Sequence, residues 1–445
     1  MKILIWGIIK NGGPFDVFRD IDYQSVYSEF LNNYHANSTN VGNKVWIQGI
    51  ISCLSTEQNQ LFFLREHESW EHINTNYDAI IYSAANLLSE EYQNEIKNIT
   101  SIFKNSKIPI YVIAVGAQAN KYSDIDRLVN SIGADVSAFV ETIYASGGEI
   151  ACRGYFTKEL IDKVTRNTAV VTGCPSVFQN GRQLIIKKRN EKLHPAFNGA
   201  LIKEKELYYE YPDSIFFDQD QWIQENYDLS LYSKSTSSFL RMLIEKHGVF
   251  YTDLFLQDRI KVFFDIPHWR NYLIDEGINF SCGTRIHGNI ISILSGIPAV
   301  VLVCDTRTRE LAEFFEIPMI EYANKNQSKR IDINNLYERI DFDHFNKSFQ
   351  AKFDLFERFL VNCNLVKQVN QNNIFWKRQN PSNVFFADDK KKKAMRLLKR
   401  VNLLGEFGWR IFYKSTNHCL SENVLKQPMF NKEEYEQNLF AEKYK

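Results

Sequence analysis

The run Ile278-Asn279-Phe280-Ser281-Cys282-Gly283-Thr284-Arg285-Ile286-His287-Gly288-Asn289 continues through Ser295-Gly296-Ile297-Pro298 and Ala299 to Cys304 into Asp305-Thr306-Arg307-Thr308-Arg309-Glu310-Leu311. It reads strand, tight turn, helix, stop, strand, tight turn, helix. Ile278 to Cys282 and Pro298 to Cys304 are apolar runs of strand length, while Arg285 to Leu294 and Arg307 to Phe315 carry helical spacing. Gly283 suits the sharp turn, Gly296 suits a helix C-terminus, and Pro298 stops the helix. A βαβ connection is right-handed and lays its strands parallel, so both strands end on one edge of the sheet. Two helix N-termini then open onto one crevice, where ligands bind in open α/β sheets.

The same alternation extends outward on both sides. Lys2 to Ile9, Gln60 to Leu64, Asp78 to Tyr82, Ile108 to Val115 and Ala169 to Thr172 read as buried parallel strands. Helical spacing lies between them at Lys44 to Leu54, Glu90 to Lys104, Ile125 to Val140 and Phe156 to Val164. Asn11 to Asn40 reads as an insertion with a short helix near Gln24 to Leu31. Further strands are expected at Gly199 to Lys203, Lys261 to Asp265 and Pro318 to Glu321, and helices at His268 to Asp275, Asn334 to Arg339 and Asp343 to Asn362. Gln179 to Pro195 reads as a linker, or else as a surface loop inside one domain. The expected fold is therefore α/β, with two Rossmann-like domains around a central cleft and a helical C-terminal appendage. The expected boundaries are 1–185, 196–345 and 346–445.

Composition sets limits on function. A chain of 445 residues exceeds what one core supports. Its 53 basic and 53 acidic side chains cancel, which predicts no nucleic-acid partner, so any anion site must come from local placement of charge. The seven cysteines are scattered without a CxxC pair, which argues against a zinc site and a disulfide framework. Cys282 and Cys304 end apolar runs and are expected to behave as small hydrophobes. No apolar run approaches a membrane span, and Met1 to Ile9 is too short for a signal segment, so the protein reads as cytoplasmic. The basic run Asp388 to Arg400 reads either as an interfacial helix near anionic lipid or as a solvated helix face.

Arg285 and His287 fall in the first turn of one helix, and Arg307 and Arg309 in the first turn of the other. Cations there oppose the macrodipole by ~0.3–1 kcal/mol each, so the set implies an anionic ligand. Asp305 is placed to cap the second helix, and Glu310 adds a favourable charge near its start. A cation beside His287 would depress its pKa and a bound dianion would raise it, which suits proton transfer coupled to anion binding.

Gly283-Thr284-Arg285-Ile286-His287-Gly288-Asn289, Ser295-Gly296-Ile297-Pro298 and Asp305 to Leu311 together resemble the C-terminal signature of the polysaccharide pyruvyltransferase family. Upstream, Asn40-Val41-Gly42-Asn43, Asp78-Ala79-Ile80-Ile81, Val112 to Gln118, Ala151-Cys152-Arg153-Gly154 and Thr172-Gly173-Cys174-Pro175-Ser176 resemble its N-terminal segments. The resemblance covers roughly residues 1 to 320. It departs at Asn43, where many members carry Asp, at Ala84-Ala85-Asn86, which replaces a glycine-rich turn, and in the length of the insertion. It implies a fold similar to B-type glycosyltransferases and transfer of pyruvate from phosphoenolpyruvate to a sugar of a surface polysaccharide, or of its precursor, as a ketal with release of phosphate. No metal is implied, and no cofactor beyond phosphoenolpyruvate as donor substrate. His287 and Arg285 are the catalytic candidates that the resemblance points to. Gly283, Thr284, Asn289, Arg307, Arg309 and Arg153 are expected at the donor, and Asn40 and Gly42 at a glycan or lipid-linked acceptor. The membrane would be met, if at all, through 390–400 at the inner membrane face. A nucleotide-sugar glycosyltransferase and a non-catalytic glycan-assembly subunit are the competing readings.

Overall fold

The computed structural model describes residues 1–6, 42–64, 68–188, 191–219, 234–261, 263, 266–322, 331–371 and 388–415. Six strands in the N-terminal half, β1 (Lys2–Trp6), β2 (Gln60–Phe63), β3 (Ala79–Tyr82), β4 (Ile110–Val115), β5 (Ile150–Cys152) and β6 (Val170–Val171), form one sheet in the order β2-β1-β3-β4-β5-β6. Every neighbouring pair in it is parallel. A second sheet takes β7 (Pro195–Asn198), β8 (Ile215–Phe217), β9 (Ile260–Lys261), β10 (Phe280–Gly283), β11 (Ala299–Val303) and β12 (Met319–Glu321) in the order β12-β11-β10-β7-β8-β9. Its pairs from β12 through β8 are parallel as well. β4 and β11 are buried along their whole length. Helices on both faces cover such strands, so they read as continuous apolar runs without alternation.

Two expectations shift along the chain. The strand placed at Gly199 to Lys203 lies one step earlier, at Pro195–Asn198, and Gly199–Lys203 is a 3₁₀ helix. Asn198 ends that strand opposite Gly283 and directs its side chain into the turn after β10, so the ladder stops there. Cys282 is a buried free thiol as expected, whereas Cys304 is exposed because β11 ends one residue before it. The insertion Asn11 to Asn40, with its expected helix, lies outside the described residues.

The stretch from Gln179 is strapped down rather than loose. Gln179 Nε2 donates to the carbonyl of Val45 at 3.0 Å, and Asn180 Nδ2 donates to that of Leu294 at 2.9 Å. Adjacent side chains therefore bind a helix of the first half, Gly42–Leu54, and one of the second half, Ile286–Leu294. These two helices also pack on each other.

The chain divides into two compact units, 1–223 with 261–384, and 224–260 with 385–445. Both sheets lie in the larger unit apart from Ile260 of β9, together with helix Asp343–Asn362. Phe345, Phe349, Phe353 and Phe356 recur at helical spacing on its buried face, and Phe178 stacks on Phe356 with ring centroids 4.9 Å apart. The helical segment expected from 346 onward is thus shared between the units. Helices Thr236–His247 and Val249–Leu256, which apolar patterning had not singled out, pack with helix Asp388–Leu403 in the smaller unit.

Candidate functional site

The turn after β10 is held by side chains from three directions. Asn198 Oδ1 accepts from the backbone N of Arg285 at 2.8 Å, and its Nδ2 donates to Asn289 Oδ1 at 3.0 Å. Asn289 Nδ2 donates back to the carbonyl of Gly283 at 2.9 Å, and Ser281 Oγ donates to Asn289 Oδ1 at 3.1 Å. Thr284 Oγ1 accepts from the backbone N of Ala200 at 2.9 Å. Gly283 must be glycine, since a Cβ there would lie 2.2 Å from Asn198 Oδ1. Thr284 and Asn289, expected to touch substrate, therefore have their side chains engaged in shaping the turn.

His287 occupies the second position of helix Ile286–Leu294, with Arg285 as the N-cap. The imidazole is 8% exposed, and its Nε2 has no hydrogen-bond partner. Burial, and then the charges of Arg153 and Arg307, lower its pKa from 6.5 to about 3. At neutral pH the ring is uncharged and faces two cations.

Arg153 arrives from the other sheet. It follows β5 and is 3% exposed, with its Nε donating to the carbonyl of Ala114 at 2.9 Å. That carbonyl is presented by an irregularity in β4. The β4–β5 register shifts between Ile113 and Val115, and Ala114 adopts φ +60. Bulges of this kind re-aim groups beside functional sites. The arginine stem passes close over Gly116, where a Cβ would lie 3.2 Å from Arg153 Cδ and 3.3 Å from Glu310 Oε1.

The second helix N-terminus behaves partly as expected. Asp305 caps helix Thr306–Phe315, accepting from the backbone N of Thr308 at 2.8 Å, and it also pairs with Arg307 at 3.0 Å. Arg307 Nε is buried without a partner. Gln219 Nε2 is a further buried donor without a partner, beside the position a Gly288 Cβ would take. Leaving a buried donor unsatisfied costs ~1–3 kcal/mol, so each of these two donors is available to an acceptor. Arg309 is engaged differently. It pairs with Glu313 and Glu321 and lies over the Tyr122 ring. The structure thus brings His287, Arg153 and Arg307 together, leaves Arg285 half-buried at the helix N-cap, and ties Arg309 into a separate network. Gly42 opens helix Gly42–Leu54 and is buried. Asn40 lies outside the described residues.

Glu310 is the group that sequence reasoning undervalued. It is 1% exposed and reaches from the second half into the first. Its carboxylate accepts from the backbone N of Thr157 at 3.0 Å and from Thr157 Oγ1 at 2.7 Å. Burial raises its pKa from 4.5 to about 8. Thr306 and Glu313 also cross to the first half, through Ala119 and Tyr122. Thr306, Glu310 and Glu313 form an i, i+4, i+7 polar stripe, and that spacing was the available signal.

Among the described residues, no group of three or more His, Cys, Asp or Glu could hold a metal ion. Comparison with curated proteins finds no match. Among solved structures, the S. aureus MnaA–UDP complex is 10% identical over 83% of this chain and 99% of that one, with TM-score 0.38. A Listeria monocytogenes structure described as a UDP-N-acetylglucosamine 2-epimerase is also 10% identical, over 91% and 97%, with TM-score 0.35. The sequence model of the polysaccharide pyruvyl transferase family matches residues 5–306, a span that contains Arg153, the turn at Gly283 and His287. The chain belongs to the polysaccharide pyruvyl transferase family.

Proposed function

We propose that this protein transfers pyruvate from phosphoenolpyruvate to two hydroxyls of a sugar in a polysaccharide or its precursor, forming a cyclic ketal and releasing phosphate. The observation that carries this reading is the buried, uncharged His287 facing Arg153 and Arg307, beside donors that lack partners. Such a cluster suits a small ligand with both a phosphate and a carboxylate, which arginines grip through paired hydrogen bonds.

Burial and then the repulsion of Arg153 and Arg307 keep His287 deprotonated. A bound dianion would offset the repulsion and attract a proton to the ring, so the imidazole gains a proton with the donor. It passes that proton to the methylene carbon of the donor as the first sugar hydroxyl adds to the neighbouring carbon. The hydroxyl proton returns to His287. The carbon–oxygen bond to phosphate then breaks with its electron pair on the leaving group, and His287 protonates that group. The second hydroxyl closes the ketal and releases its proton to solvent. Donor and diol thus become ketal and phosphate with all atoms conserved.

The test gives purified protein phosphoenolpyruvate, a nucleotide sugar and glycan acceptors. Phosphate release with a mass gain of one ketal-linked pyruvate is the expected result. UDP release from the nucleotide sugar, or no product with any acceptor, would overturn it in favour of a glycosyltransferase or a non-catalytic subunit.

A further inference from the structure

We infer that the helix pair Asp388–Leu403 and Gly405–Ser415 in the smaller unit is a docking surface for anionic lipid bilayers. Residues 390–404 contain seven Lys or Arg and no Asp or Glu. The first helix is sorted by face. Lys391, Ala394, Leu398 and Val401 are buried toward helices Thr236–His247 and Val249–Leu256. Lys391 is held there, with Nζ 3.4 Å from Asp258 and 4.1 Å over the Phe255 ring.

The outer face carries Lys392, Lys393, Arg396, Lys399 and Arg400, all exposed. Positions 392, 396, 399 and 403 follow one helical row, and 393, 400 and 404 follow the next. Both rows therefore start in cations and end in leucines, with Leu403 83% and Leu404 56% exposed. The following helix turns Trp409 and Phe412 inward and leaves Phe407 67% and Ile411 48% exposed, one turn apart.

A cationic stripe continuous with four exposed apolar side chains matches the layered chemistry of a bilayer surface. Cations meet anionic headgroups, and apolar side chains enter the acyl boundary. A nucleic acid would engage the cations and leave the leucines and Phe407 in water. An apolar protein face would desolvate this cationic stripe and offer it no acceptor, which is costly. Among the described residues no helix is long and apolar enough to cross a membrane, so the contact argued here is peripheral.

The experiment is flotation of the full chain with vesicles of phosphatidylglycerol and phosphatidylcholine, against phosphatidylcholine alone, at low and high salt. Binding to the anionic vesicles that weakens with salt is expected. Each cation removed, as in Lys392→Gln or Arg396→Gln, should weaken partitioning about fivefold. Phe407→Asp should abolish most of it while the far-ultraviolet circular dichroism stays unchanged. Failure to float with anionic vesicles overturns the inference. So does equal binding to both vesicle types, or a Phe407→Asp effect confined to self-association. No turnover is needed for this readout, so its outcome is independent of the pyruvyl-transfer test.

Discussion

The carboxylate of Glu310 caps a helix in the opposite half of the larger unit, accepting from both the backbone N and the hydroxyl of Thr157. Thr157 Oγ1 in turn accepts from the backbone N of Ala117 at 2.7 Å, so one buried triad joins the segment after β4, helix Tyr155–Val164 and helix Thr306–Phe315. The titration of Glu310 has a definite sign. Its pKa is higher in the folded protein, about 8 against 4.5, so its contribution is full below pH 4.5 and is lost as pH rises through 8. The wild type should lose stability between about pH 5 and 8 more steeply than Glu310→Gln, which keeps the shape without the titration. Thermal midpoints across that range decide it, and parallel curves would show that Glu310 is ionised throughout.

Thr157→Val probes the same triad from the other side. It keeps side-chain volume but leaves the Ala117 N–H and part of the Glu310 carboxylate without a partner. A loss of about 1–3 kcal/mol in chemical denaturation is expected. A neutral result would mean that water replaces the hydroxyl.

Arg153 and Arg309 were both expected at the donor, yet their surroundings predict different outcomes. Arg153→Lys cannot reproduce the Nε contact to Ala114 together with a forked grip on an anion. A 10- to 100-fold loss in kcat/KM for phosphoenolpyruvate is expected, about 1.4–2.7 kcal/mol of transition-state binding. Arg309→Lys keeps a cation between Glu313 and Glu321 and should stay within a few-fold of wild type. Equal losses in steady-state kinetics would place Arg309 in the donor site after all.

Much of this architecture was legible in the chain because its strands are buried on both faces. Ile110 to Val115 and Ala299 to Val303 are continuous apolar runs between helical periods, and such runs declare themselves. Short strands such as Ile150–Cys152 and Ile215–Phe217 do not, since three residues carry no period. At the site, local pattern placed Arg285, His287 and the Asp305 cap. It could not foresee that Asn289 folds back onto Gly283, or that Arg309 is drawn off by Glu321, a residue on β12. Those outcomes depend on partners fixed only by tertiary packing. The Ala114 bulge is also silent in sequence, because alanine at φ +60 is imposed by its surroundings and not by its own preference.

The last prediction concerns the proton on His287. In the free protein the folded pKa is about 3, below its ordinary 6.5, so the imidazole is neutral at working pH. Burial is the larger cause and the charges of Arg153 and Arg307 the smaller. A bound phosphate and carboxylate would have to offset those charges and also attract the proton against the burial, and the ring should then bind a proton. Calorimetry of phosphoenolpyruvate binding without acceptor, at about pH 8 where the free donor phosphate is already deprotonated, reads this directly. Comparing two buffers of different ionisation enthalpy should give a net proton uptake in the wild type, up to one proton, and none in His287→Asn. By the same linkage, donor affinity should fall as pH rises from the free-state pKa toward the bound-state pKa, and level off above it. His287→Asn should also slow pyruvyl transfer by about 10²–10⁴-fold. If the variant takes up the same proton as the wild type, the proton resides elsewhere. If it binds no proton and yet turns over normally, His287 only lines the anion site.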